Sequence, residues 1–162
     1  GGDWSGKRLI PDCIRSLLGN KSIYLRNPNF NRPWQHVLEP LRGYLILAKE
    51  QFNNPKKYSD AWNFGTKNNS VKSVKEIVDY MIFFWGKGKV KTSKNNKFYE
   101  QKNLQLDISR AKKKLKWFPT YSVKKSVKIT TEWYLKVYRQ KQEPFKVTNQ
   151  QIKDYMNENN RT

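Results

Sequence analysis

Histidine and cysteine are almost absent from this 162-residue chain, with His36 and Cys13 the single example of each. One cysteine excludes an intramolecular disulfide and fits a reducing compartment. Together with one histidine it leaves no set for a structural zinc. Long apolar runs are missing too. The longest, from Tyr80 to Trp85, falls far short of the roughly 20 residues that cross a bilayer. The opening Gly1-Gly2-Asp3-Trp4 is no charged-then-apolar leader. It also lacks an initiator methionine, so a start inside a longer polypeptide, or after processing, is expected, in a cytoplasmic setting. No glycine-rich phosphate loop is present. The stretch Gly86-Lys87-Gly88-Lys89 has neither the spacing nor the trailing serine or threonine of one.

Acidic residues are scarce, 13 against 33 basic ones, which leaves a net charge of +20. That balance is the usual footprint of a nucleic-acid binder, and a small basic module stacking its aromatics on bases is the alternative reading. The distribution argues against it. Lysine supplies 25 of the cations and arginine 8, and the lysines are scattered from Lys7 to Lys153 without a stripe. With 16 asparagines alongside, an AT-rich coding bias accounts for the excess, and no nucleic-acid partner is favoured. An anionic small-molecule substrate would gain from the same field.

The order of elements reads as α/β. Ile10, Cys13, Ile14 and Leu17 share one helical face before Gly19. Residues 22–26 read as a short strand, closed by the turn Asn27-Pro28-Asn29. Residues 34–38 read as extended. A helix with Pro40 in its first turn carries Leu41, Tyr44, Leu45 and Ala48. Ala61 to Gly65 reads as another strand. Ser73 and Glu76 form a capping-box pattern ahead of Val74, Ile77, Val78, Met81 and Trp85. Strands over 89–92 and 103–106, a basic helix from Ser109 and a long helix from Val123 to about Tyr138 complete the set. One unit is expected over residues 1–156, with a frayed tail over 157–162. So few strands beside several helices look like the back half of a larger α/β fold.

The motifs give that impression a source. Gly1-Gly2-Asp3-Trp4, Arg8-Leu9-Ile10-Pro11-Asp12, Arg26-Asn27-Pro28-Asn29 and the run from Arg32 to Pro40 closely resemble CDP-glucose 4,6-dehydratases. These are members of the extended short-chain dehydrogenase/reductase superfamily. Ala61-Trp62-Asn63-Phe64-Gly65, Leu106-Asp107 with Ser109-Arg110-Ala111, and Trp117 with Pro119 continue the resemblance in the right order. Thr131, Trp133, Tyr134 and Gln151-Ile152 extend it towards the end. The departures are Tyr99-Glu100 where the family often has His-Glu, Lys116 where glycine is usual, and the high basic content.

The resemblance implies a Rossmann-type enzyme whose N-terminal part binds NAD and carries the catalytic tyrosine and lysine. That part is absent from this sequence, which corresponds to the C-terminal, substrate-binding portion. The implied reaction oxidises the sugar at C4, removes water across C5 and C6, and returns hydride to C6. The implied partner is a CDP-sugar, with no membrane partner and a homo-oligomeric parent. Arg32 is the first candidate for the diphosphate, because a planar guanidinium grips two phosphate oxygens at once. Arg8 and Asn63 follow, then Arg26 and Asn29 for the base. Gln35 and His36, read on a strand, would point to opposite faces, one towards ligand and one into the fold. Trp4 and Trp34 are candidates for stacking or for the core. Tyr121 has Lys125 four residues on but precedes a surface helix, so no catalytic pair is assigned.

Overall fold

A computed structural model describes residues 2–66, 70–92 and 103–159. The fold is mostly helical, with two small two-stranded sheets. In chain order the elements are α1 Leu9–Leu18, β1 Ile23–Leu25, β2 Asn31–Arg32, α2 Leu38–Asn53, α3 Pro55–Tyr58 and β3 Lys72–Ser73. Then come α4 Val74–Trp85, β4 Val90–Thr92, α5 Ser109–Leu115, α6 Val123–Tyr134 and α7 Pro144–Asn159. A π-helical turn, Leu135–Arg139, extends α6.

Apolar periodicity explains how these elements assemble. Cys13, Ile14 and Leu17 of α1 meet Ile77, Val78 and Met81 of α4 and Val127 and Tyr134 of α6 in one core. Burying each such side chain contributes about 1.5–3 kcal/mol. β1 enters this core through Ile23 and Leu25 while Tyr24 faces out, the alternation a strand imposes. β1 and β4 pair in parallel, with Tyr24 opposite Lys91, while β2 and β3 pair antiparallel, with Arg32 opposite Lys72. A second core gathers Tyr58, Phe64, Ile108, Ala111, Leu115 and Trp117 under α2. Gly43 permits that approach. A Cβ there would stand 2.4 Å from the Phe64 ring.

The helix ends follow local chemistry. At α4 the capping box is complete: the Glu76 amide donates to Ser73 Oγ (3.2 Å), and the Ser73 amide donates to Glu76 Oε2 (2.9 Å). Lys72, bonded to Glu76 at 2.8 Å, is the first cause of a Glu76 carboxyl lowered to about 2, ahead of the Ser73 amide. Gly86, with φ 90°, terminates α4 in the left-handed conformation that glycine adopts without steric penalty.

Several expectations are corrected. Residues 34–37 form no strand, because Trp34 N already turns back to Arg32 O (3.0 Å) and α2 begins at Leu38. Residues 61–65 form no ladder. Side chains take their carbonyls instead, with Arg110 Nη1 donating to Ala61 O at 3.1 Å and Gln35 Nε2 to Phe64 O at 2.8 Å. Of the expected 103–106 strand only one bridge remains, Asn31 with Asn103. Beyond Arg139 the polar composition conceals α7, which runs through Asn159. Glu143 starts this helix by accepting from the amides of Phe145 and Lys146 at 2.8 and 2.6 Å. Tyr99 and Glu100 lie outside the described residues.

Candidate functional site

Strand β1 ends at Leu25, and the chain leaves it through Arg26 and Asn27 into the turn that leads to β2. Beyond that end, between the start of α1 and β2, lies a cleft of about 210 Å³. The segment around the start of α1 contributes Lys7 and Asp12 to its lining, and the segment from the end of β1 to Trp34 contributes Arg26, Phe30, Arg32 and Trp34. The position is where ligands enter parallel sheets, beyond the carboxyl ends of the strands.

Each wall is fixed locally. Arg32 lies on β2, donates Nη1 to its neighbour's carbonyl, Asn31 O, at 2.8 Å, and sets its guanidinium 5.5 Å from the Phe30 ring centre. That is cation–π range, which aligns the planar fork. Trp34 is pinned by Nε1 donating to Lys72 O at 3.0 Å. On the other side Asp12 is engaged by the Arg15 guanidinium, which also donates to the Trp4 and Ser5 carbonyls at 3.0 and 3.2 Å. Arg15 therefore ties the N-terminal segment to α1 and neutralises the carboxylate that lines the cleft.

Of the residues nominated from sequence, Arg26 and Arg32 come together in this cleft. Arg8 caps α1 as an exposed residue with no side-chain capping bond and does not line the cleft; Asn29 is exposed in the β1–β2 turn. Asn63 donates to Asp107 O at 3.3 Å and does not line the cleft. Gln35 spends its amide nitrogen on Phe64 O. His36 is 4% exposed and accepts the Leu38 amide through Nδ1 at 3.3 Å, which serves the start of α2. Burial lowers its pKa to about 4, so the ring is neutral. Trp4 belongs to the core, edge-on to Tyr134 and Tyr138, with Nε1 donating to Tyr138 Oη at 2.7 Å.

Tyr121 and Lys125 do not line the cleft. Lys125 is salt-bridged to Glu158 and lies 4.7 Å over the Tyr121 ring, while burial pushes the phenol up to about 12. Sequence reasoning missed Lys7, Asp12 and Phe30. Lys7 could have been found from its place in the Gly6-Lys7-Arg8 turn that opens α1, where Arg8 drew the attention instead. No group of three His, Cys, Asp or Glu among the described residues could hold a metal ion, and no described helix is long and apolar enough to cross a membrane.

No family model matches the chain. It is 37% identical over 157 residues, 96% of its length, to the CDP-glucose 4,6-dehydratase of Salmonella typhimurium. The chain belongs to the CDP-glucose 4,6-dehydratase family. Among solved structures it resembles dTDP-glucose 4,6-dehydratase from Bacillus anthracis in complex with NAD (TM-score 0.66, 20% identity), covering 82% of this chain and 40% of that one. It also resembles UDP-glucuronic acid 4-epimerase from Bacillus cereus in complex with UDP-glucuronic acid and NAD (TM-score 0.69, 19% identity), covering 82% and 41%. These likenesses give the fold, the C-terminal, non-Rossmann portion of an extended short-chain dehydrogenase/reductase. The chain spans 44% of the Salmonella family member, less than half its length.

Proposed function

We propose that this chain is the nucleotide-sugar-binding portion of an NAD-dependent 4,6-dehydratase that converts CDP-glucose to CDP-4-keto-6-deoxyglucose. The observation that carries the reading is the 37% identity to a CDP-glucose 4,6-dehydratase, maintained across 96% of the chain. The cleft supports it with the chemistry a nucleoside diphosphate requires. Two guanidinium groups, Arg26 and Arg32, line it, and its one carboxylate is already neutralised. In this reading Arg32 grips the diphosphate and Arg26 faces the nucleoside. The parent protein is read as a cytoplasmic homo-oligomer.

The residues present do not fit NAD. A dinucleotide needs a glycine-rich turn running from strand into helix, with the pyrophosphate on the helix N-terminus. Here Gly86 and Gly88 lie between the C-terminus of α4 and β4, the reverse order. Space beside Gly88 is also taken: a Cβ there would stand 2.8 Å from Ile82 and 2.9 Å from Leu17. This chain's contribution is therefore binding and orientation of the sugar nucleotide.

Calorimetry on the full-length protein tests the assignment. CDP-glucose should bind more tightly than UDP-glucose or dTDP-glucose. Arg32→Ala should cost about 2–4 kcal/mol of CDP-glucose binding, with partial recovery in Arg32→Lys and unaltered NAD binding. Equal affinity for all three sugar nucleotides would defeat the substrate assignment, and unchanged affinity in Arg32→Ala would remove Arg32 from the site.

A further inference from the structure

A third cation lines the cleft with the two arginines. Lys7 stands in the turn before α1, with φ 61°, and lines the cleft from the α1 side. A left-handed conformation is strained for a lysine, and its neighbour Gly6 would adopt it freely. Lys7 is exposed and makes no side-chain hydrogen bond or ion pair among the described residues. The nearby acids are already engaged. Asp12 is held by Arg15, and Asp3 accepts the Ser5 amide at 2.8 Å. Local structure therefore gives this ammonium no partner, although it lines a cleft that Arg26 and Arg32 also line.

We propose that Lys7 is a diphosphate-binding residue, so that a nucleoside diphosphate is held by a cation from the α1 segment as well as by Arg32 from β2. The proposal rests on the nucleotide-sugar reading above and adds a contact to it. A diphosphate presents oxygens on both sides of its chain. A forked guanidinium fits one side, and a compact ammonium on a flexible stem can follow the other. The left-handed backbone keeps Lys7 off the helix: a lysine two residues later, inside α1, would be carried by it.

The αL backbone also supplies the test. Lys7→Gly removes the ammonium and relieves the strain together, so the variant should fold at least as well as the parent protein. Titrate the full-length protein with CDP, CMP and cytidine at two salt concentrations. Lys7→Gly should bind CDP about tenfold more weakly, with a shallower salt dependence, and bind cytidine as before. Lys7→Arg should retain most of the affinity for CDP. If Lys7→Gly binds CDP as the parent does while Arg32→Ala is impaired, Lys7 lies outside the site and the nucleotide-sugar reading survives. Equal losses for CDP and cytidine would overturn the diphosphate contact and make Lys7 a shape-determining residue. If the parent protein binds none of the three, the nucleotide-sugar reading falls and Lys7 falls with it.

Discussion

Glu39 is the residue on which the second half of the fold should depend most. It is fully buried at the start of α2, and its carboxylate accepts from three donors. The Thr120 amide reaches both oxygens at 3.1 Å, the Tyr121 amide reaches Oε1 at 2.7 Å, and Tyr155 Oη reaches Oε2 at 2.9 Å. Its backbone carbonyl also accepts from Trp117 Nε1 at 3.2 Å. Arg42 extends the network. Its Nε donates to Tyr155 Oη at 3.1 Å, and its Nη2 donates to the Phe118 carbonyl. One side chain thus joins α2, the 117–121 segment and α7.

Removing it leaves buried donors with no water to turn to. Each hydrogen bond to a charged group is worth about 1.5–3 kcal/mol. Three such bonds do not add fully, and breaking a buried charged contact typically costs about 3–5 kcal/mol. Glu39→Ala should therefore lose about 3–5 kcal/mol. Glu39→Gln keeps one acceptor oxygen but turns an NH₂ towards a donor, and should lose about 1.5–3 kcal/mol. Urea unfolding followed by tryptophan fluorescence measures both, since Trp117 reports on this junction. The order matters as well as the size. A Glu39→Ala variant within 1 kcal/mol of the parent, or a Gln variant worse than Ala, would refute the network as the source of stability.

His36 should make stability fall on the acid side of neutrality. Its folded pKa is depressed by burial from 6.5 to about 4, so its contribution is complete above 6.5 and is lost as pH falls towards 4. The loss should reach about 3 kcal/mol at most, and His36→Gln should flatten it; parallel slopes in parent and variant would exclude His36 as the cause. The outer face of α2 exposes Leu41, Tyr44, Leu45 and Phe52, with Phe52 89% exposed, as a stripe at helical spacing. The 162 residues expressed alone should therefore bind a hydrophobic dye and self-associate in sedimentation. Leu45→Lys with Phe52→Lys should suppress both without lowering stability, and a dye-free monomer before substitution would contradict this.

What the sequence made legible was whatever a local period or a cap could specify. α1 and α4 are written in their apolar faces, and the Ser73–Glu76 box fixes the α4 start to the residue. The elements that stayed hidden are those whose stabilising partners are distant. α7 buries only Val147 and Tyr155 of its sixteen residues, and Tyr155 is there to reach Glu39, 116 residues away in sequence. Residues 61–65 have strand composition, yet Arg110 and Gln35 satisfy their carbonyls, so composition alone misassigned them.

The candidate site was half legible for the same reason. The run from Arg32 to Pro40 stands out as one motif, but in space it performs two tasks. Arg32 on β2 faces the cleft, whereas His36 and Glu39 face inward and organise α2 and the 117–121 segment. Residues 33–37, His36 among them, are neither helix nor strand, so no period of 2.0 or 3.6 says which side chain points where. A motif that is conspicuous in sequence can therefore mix cleft-lining residues with scaffold. Here the dividing line falls after Trp34, and only the contacts of Arg32 with Phe30 and of Glu39 with Tyr121 reveal it.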